Sequence, residues 1–73
     1  MNNMTETLNI VKIDGVWHSI SNNPMVRDLF GTDTLPLPHA DTASGQLVAA
    51  DLARRNPNCE ILLNGETQFV AIS

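Results

Sequence analysis

The chain has 73 residues, eight acidic and four basic side chains and a formal net charge of −4. A domain of this size draws only roughly 3–5 kcal/mol from its core, and the acidic balance argues against a nucleic-acid binder, which needs a basic stripe to neutralise phosphates. Cys59 is the sole cysteine, which excludes an internal disulfide, so the core must be unusually efficient or be supplemented by a partner.

Residues 1–7 are polar, with neither a basic segment nor an apolar stretch, and read as a flexible tail. A single small domain is expected over residues 8–73. Residues 8–13 and 16–20 are rich in β-formers and flank Asp14-Gly15, the strongest kind of short hairpin signal. A two-residue loop sets Ile13 opposite Val16, Lys12 opposite Trp17, Val11 opposite His18 and Ile10 opposite Ser19. One ribbon face then carries Val11, Ile13, Val16, His18 and Ile20. The other carries Leu8, Ile10, Lys12, Trp17 and Ser19, so neither face is cleanly polar.

Asn23-Pro24 opens a short helix, with Asn23 as cap and Pro24 at the first helical position. Met25, Val26, Leu29 and Phe30 follow at helical spacing, and Gly31 is placed to end the helix in the left-handed conformation. Two turns do not survive alone, so packing is expected to hold them. Residues 32–39 hold Pro36 and Pro38, which bias Leu35 and Leu37 away from helix. A polyproline-like segment with Leu35 and Leu37 lying over the core is expected there.

Asp41 or Thr42 is expected to cap a second helix over about residues 43–55, stopped by Asn56-Pro57. Gly45, Val48, Ala49, Leu52 and Ala53 share one helical sector, and small Gly45 and the alanines permit close approach to a sheet. Asp51 is spaced to pair with Arg54 or Arg55. Leu47 is apolar on the charged side. Residues 59–63 and 67–72 read as two further strands around Asn64-Gly65-Glu66. A three-residue loop is preferred because it gathers Cys59, Ile61, Leu63, Thr67, Phe69 and Ala71 on one face. The fold expected is α+β, in the order β-β-α-α-β-β, with two antiparallel hairpins forming a small sheet packed on one main helix.

One helix covers one face of such a sheet. The other would expose Leu8, Ile10, Trp17, Leu62, Val70 and Ile72, an apolar patch unusual on a solitary soluble chain. This points to a homodimer or a protein partner, with Leu8, Ile10, Lys12, Trp17, Leu35 and Leu37 as the partner-binding residues; the alternative is a monomer whose short helix and Pro-rich segment cover the second face. Trp17 has two readings: an interface anchor, or a core side chain under the Pro-rich segment. Opposite Lys12, it is placed for a cation–π contact.

Catalytic signatures are absent. Cys59 heads an apolar strand and reads as a buried core thiol rather than a nucleophile. Cys59, His18 and His39 lack metal-ligand spacing, and no cofactor is implied. Asp33, His39 and Asp41 coincide with irregular chain beside the second helix start, where free N–H groups could attract an anion. Arg27, Thr32, Asp33, Thr34, His39, Thr42 and Ser44 are the candidate ligand-binding set, although capping and turn chemistry account for the same residues. With no apolar run of membrane-spanning length, and a lone cysteine that suits a reducing compartment, a cytoplasmic protein is expected, free of membrane and nucleic acid. The leading expectation is a small non-enzymatic protein-binding regulator or inhibitor acting as a homodimer. The alternative is a protein that binds or sequesters a small anion or nucleotide.

Overall fold

The structure, a computed structural model, describes residues 5–72. It is a small α+β domain: β1 (Glu6–Ile13), β2 (Val16–Ser21), α1 (Pro24–Phe30), β3 (Thr34–Pro36), α2 (Gly45–Arg55), β4 (Cys59–Leu63) and β5 (Glu66–Phe69). The strands form one five-stranded sheet in the order β3-β2-β1-β4-β5. Most of the expected tail, residues 1–4, lies outside the described residues. Glu6 and Thr7, also assigned to the tail, are strand residues, and Thr7 N–H donates to Asn22 Oδ1 at 2.8 Å.

The first hairpin forms as its turn requires. Asp14 and Gly15 both take positive φ, 50° and 77°, which matches the twist of the flanking strands. The register is the expected one, from Ile13 opposite Val16 to Ile10 opposite Ser19. The two hairpins do meet edge to edge, but β1 pairs with β4 in parallel, Leu8 opposite Ile61 and Ile10 opposite Leu63. Parallel neighbours need a long crossover, and the chain between β2 and β4, which includes α2, supplies it.

The segment expected to be polyproline-like contributes a fifth strand instead. β3 pairs antiparallel with β2, with Leu35 opposite Ser19 and Pro36 opposite His18. Pro36 is tolerated because β3 is an edge strand. Beyond it, Leu37 N–H donates to Trp17 O at 2.8 Å and the Leu37 side chain packs on the core.

The second hairpin turns on two residues, not three. Leu63 opposes Glu66, and Asn64 and Gly65 sit at φ 51° and 84°. A bulge follows, so that Leu62 opposes Thr67 while Ile61 opposes Phe69. The tight turn prevails at the tip, and the extra residue restores the Ile61–Phe69 match that a longer loop would have given. Thr67 consequently moves to the other face, beside Glu60.

Helix α1 is capped as expected. Asn23 Oδ1 accepts from Met25 N–H, and Gly31 at φ 76° donates its N–H to Arg27 O. Helix α2 begins at Gly45, with Ser44 as its cap accepting from Leu47 N–H at 3.2 Å. Asp41 and Thr42 lie upstream of that cap, so neither fills the role. Val48, Ala49 and Leu52 are buried against Ile10, Trp17, Cys59 and Ile61. The helix comes so close that a Cβ on Gly45 would lie 2.7 Å from Leu63 Cδ1.

Candidate functional site

Helix α2 covers the sheet face that carries Leu8, Ile10, Lys12 and Trp17. This reverses the expectation that those side chains form an uncovered partner-binding surface. Ile10 is fully buried and Trp17 is 7% exposed. Leu8 and Leu37 pack on the same core, and Leu35 is half-buried opposite Ser19. Both hairpin ribbons are apolar on two sides, so local pattern does not decide which side meets the helix. Trp17 decides it physically: its large ring needs cover, and its N–H needs an acceptor. Nε1–H donates to Ala43 O at 3.1 Å, in the chain leading into α2. Lys12 lies over the outer edge of this arrangement. Its Nζ is 4.7 Å from the Trp17 ring centroid and donates to Asp41 O at 2.6 Å. Thus the cation–π contact is present, but it seals a core residue.

The candidate ligand set is divided. Thr32 Oγ1 accepts from Thr34 N–H, and Thr34 Oγ1 donates to Asp33 Oδ1. Asp33 O accepts from Ser21 N–H at 2.9 Å, which anchors this turn to the end of β2. Arg27 is exposed on α1, and Thr42 is exposed ahead of α2. Ser44 is occupied as a cap. His39 is drawn away from the others: its Nε2 lies 2.8 Å from Asp51 Oδ2 on α2. A carboxylate oxygen accepts, so Nε2 donates, and the buried Nδ1 has no hydrogen-bond partner.

Asp51 also accepts from Arg54 and, at 3.3 Å, from Arg55 Nε. The His39 hydrogen bond is the main reason its carboxyl titrates below the usual carboxylate range, with partial burial opposing and the two arginines reinforcing. The Asp51–arginine spacing was readable on a helical wheel. The His39 link was not, because it depends on how the Pro-rich chain folds back onto α2. The cluster pins that chain to the helix.

A cavity of about 270 Å³ is lined by Thr5, Glu6, Asn22, Asn23 and Pro24. Its amides already have work: Asn22 bonds Thr5 O and Thr7 N–H, and Asn23 caps α1. Cys59 is buried, and burial, reinforced by the negative charge of Glu6, pushes its thiol above the usual range. No group of three or more His, Cys, Asp or Glu side chains placed to hold a metal occurs among the described residues. No described helix is long and apolar enough to cross a membrane.

Several apolar side chains stay open among the described residues: Leu47 on α2, Phe69 on β5, and Val70 and Ile72 beyond it, the last two as expected, and two further groups. On α1, Met25, Leu29 and Phe30 are 63%, 74% and 62% exposed, and the helix buries none of its residues. On the sheet, the side away from α2 presents Val11, Ile13, Val16, Ile20 and Leu62, placed there by the strand pairings. Neither surface was among the residues singled out for binding. The apolar spacing of α1 is visible in the sequence, but it reads equally well as a buried stripe. No family model, curated relative or solved structure matches the chain.

Proposed function

We propose that the chain is a small non-enzymatic protein-binding module, a regulator or inhibitor that acts by occupying a partner's surface and works as a homodimer. The observation that carries this reading is α1. A helix of seven residues is too short to be stable by propensity, yet it is fixed at both ends, by Asn23 and by Gly31, while its apolar side faces solvent. A short rigid helix displaying Met25, Leu29 and Phe30 suits insertion into an apolar groove on another protein. Large apolar side chains grouped on a small surface favour such a contact over permanent hydration. The buried free thiol of Cys59 suits a reducing cytoplasm.

The small-ligand alternative loses support because its residues are dispersed or already hydrogen-bonded to one another. The test is affinity capture from source cells with the wild-type chain and with a Leu29→Ala/Phe30→Ala variant of unchanged circular dichroism. The reading expects a protein held by the former and lost by the latter, with the loss reproduced using the purified partner. Identical retention by both would contradict it.

A further inference from the structure

We propose that Asn64 is a site of spontaneous deamidation and that Asn9 holds the reaction in check. Asparagine followed by glycine is the most reactive pairing for this chemistry, because glycine has no Cβ to obstruct approach to its own backbone nitrogen. The Gly65 nitrogen attacks Cγ of Asn64, and the side-chain nitrogen leaves as ammonia, carrying away the proton that Gly65 gives up. The product is a cyclic succinimide. Water then opens either ring carbonyl, leaving aspartate or isoaspartate. Asn64 and Gly65 are exposed, so water has access to the turn.

The second hairpin turn ties up the nucleophile. Gly65 N–H donates to Asn9 Oδ1 at 2.9 Å, and Asn64 N–H donates to Ile10 O at 2.9 Å. The peptide groups on either side of Asn64 are therefore fixed to β1. Ring closure needs the Gly65 nitrogen to lose its proton and turn toward Cγ, which breaks the Asn9 bond. Asn9 sits half-buried in a strand paired on both sides, opposite Ile20 and Leu62, so the acceptor stands on a rigid element. The first turn is the internal contrast. Asp14 and Gly15 take φ 50° and 77°, close to the 51° and 84° of Asn64 and Gly65. Among the described residues, nothing accepts from Gly15 N–H. The two turns share a backbone shape, and the hold on the glycine nitrogen belongs to the second.

The reaction matters to the fold because of where it falls. Isoaspartate runs the backbone through the side chain and adds a carbon to it. A two-residue turn has no slack for that carbon, since Leu63 opposes Glu66 directly across it. Conversion therefore loosens β5, an edge strand held to the sheet by β4 alone. A side chain of the first hairpin thus guards the covalent integrity of the second.

Peptide mapping by mass spectrometry, on the full chain incubated in mildly alkaline buffer, reads the conversion of Asn64 to aspartate and isoaspartate. Folded wild type is expected to convert more slowly than the same chain unfolded in guanidinium chloride. Asn9→Ala, at unchanged circular dichroism, is expected to convert roughly two- to tenfold faster than wild type, the factor carried by one hydrogen bond. Should Asn9→Ala unfold, Asp14→Asn supplies the comparison by placing the same dipeptide in the first turn. That turn is expected to convert faster than Asn64 within one molecule, each rate referred to the unfolded chain, a difference that global unfolding cannot produce. Equal rates for folded and unfolded wild type, for wild type and folded Asn9→Ala, or for the two turns of Asp14→Asn overturn the role of Asn9. An Asn64 that stays unconverted even in the unfolded chain overturns the site itself.

Discussion

The indole nitrogen of Trp17 donates to the carbonyl oxygen of Ala43 at 3.1 Å, tying the second strand to the residue just before the Ser44 cap of α2. One side chain therefore fills the core and holds the entry of the helix that covers it. Trp17→Phe keeps an aromatic ring but leaves the Ala43 carbonyl unpaired, and is expected to cost about 1–3 kcal/mol. Trp17→Ala is expected to cost about 3–5 kcal/mol, comparable with the whole stability of so small a domain. Urea denaturation followed by circular dichroism checks both. A Trp17→Ala variant as stable as wild type would contradict the core assignment.

Gly45 lies against Leu63, with a prospective Cβ 2.7 Å from Leu63 Cδ1. Alanine is the better helix former by up to about 1 kcal/mol, yet overpacking typically costs about 1–3 kcal/mol. The atoms met are the methyl ends of the half-buried Leu63 side chain, which can shift in part, and the propensity gain is small at the first helical position, so the net cost falls at the low end of that range. Gly45→Ala is expected to lose about 1 kcal/mol. Combined with Leu63→Ala, which opens the space, the glycine substitution is expected to become neutral, a coupling of the size found between contacting residues. Additive losses in a double-mutant cycle would argue against the close approach.

Asp51 ionises more readily in the folded chain than in an unfolded one, chiefly because His39 hydrogen-bonds to it. A carboxyl held below its unfolded value adds stability above that value and loses the contribution as pH falls through the lower, folded value. Asp51→Asn is therefore expected to be less stable than wild type near neutral pH, with the difference shrinking on acidification. Denaturation midpoints across the acid range measure this. A constant difference would detach it from carboxylate ionisation.

The thiol of Cys59 is buried, and its ionisation is disfavoured by desolvation and by Glu6. Thiolate is the reactive form. Native protein is expected to react with a thiol reagent much more slowly than urea-unfolded protein, and an N-terminal β1 variant, Glu6→Gln, is expected to react slightly faster. Equal rates for native and unfolded chains would place Cys59 outside the core.

Much local chemistry was readable, although the cap of α2 is Ser44 and not Asp41 or Thr42. Asp14-Gly15 set the first hairpin and its register, Asn23 and Gly31 bounded α1, and the Val48–Ala49–Leu52 sector named the buried side of α2. Where two local rules compete, the sequence left the outcome open. Asn64-Gly65 favours a two-residue turn and the face pattern favours three, and a bulge satisfies both. Long-range choices were not legible. The parallel pairing of β1 with β4, the return of residues 34–36 to the edge of β2, and the reach of His39 to Asp51 all depend on how distant segments meet. The covered face was misassigned for a related reason: Val11, Val16 and Ile20 on one side are as apolar as Leu8, Ile10 and Trp17 on the other.

Because Trp17 is the single tryptophan, acrylamide quenching of its fluorescence reports directly on which side of the sheet lies beneath the helix. The measurement belongs at a concentration where light scattering finds the single-copy mass, so that association cannot supply the shielding. Emission strongly protected relative to the urea-unfolded chain is the outcome expected when α2 covers the Ile10–Trp17 side. Quenching as efficient as in the unfolded chain would show that side to be open and contradict the core built by α2 on Ile10 and Trp17.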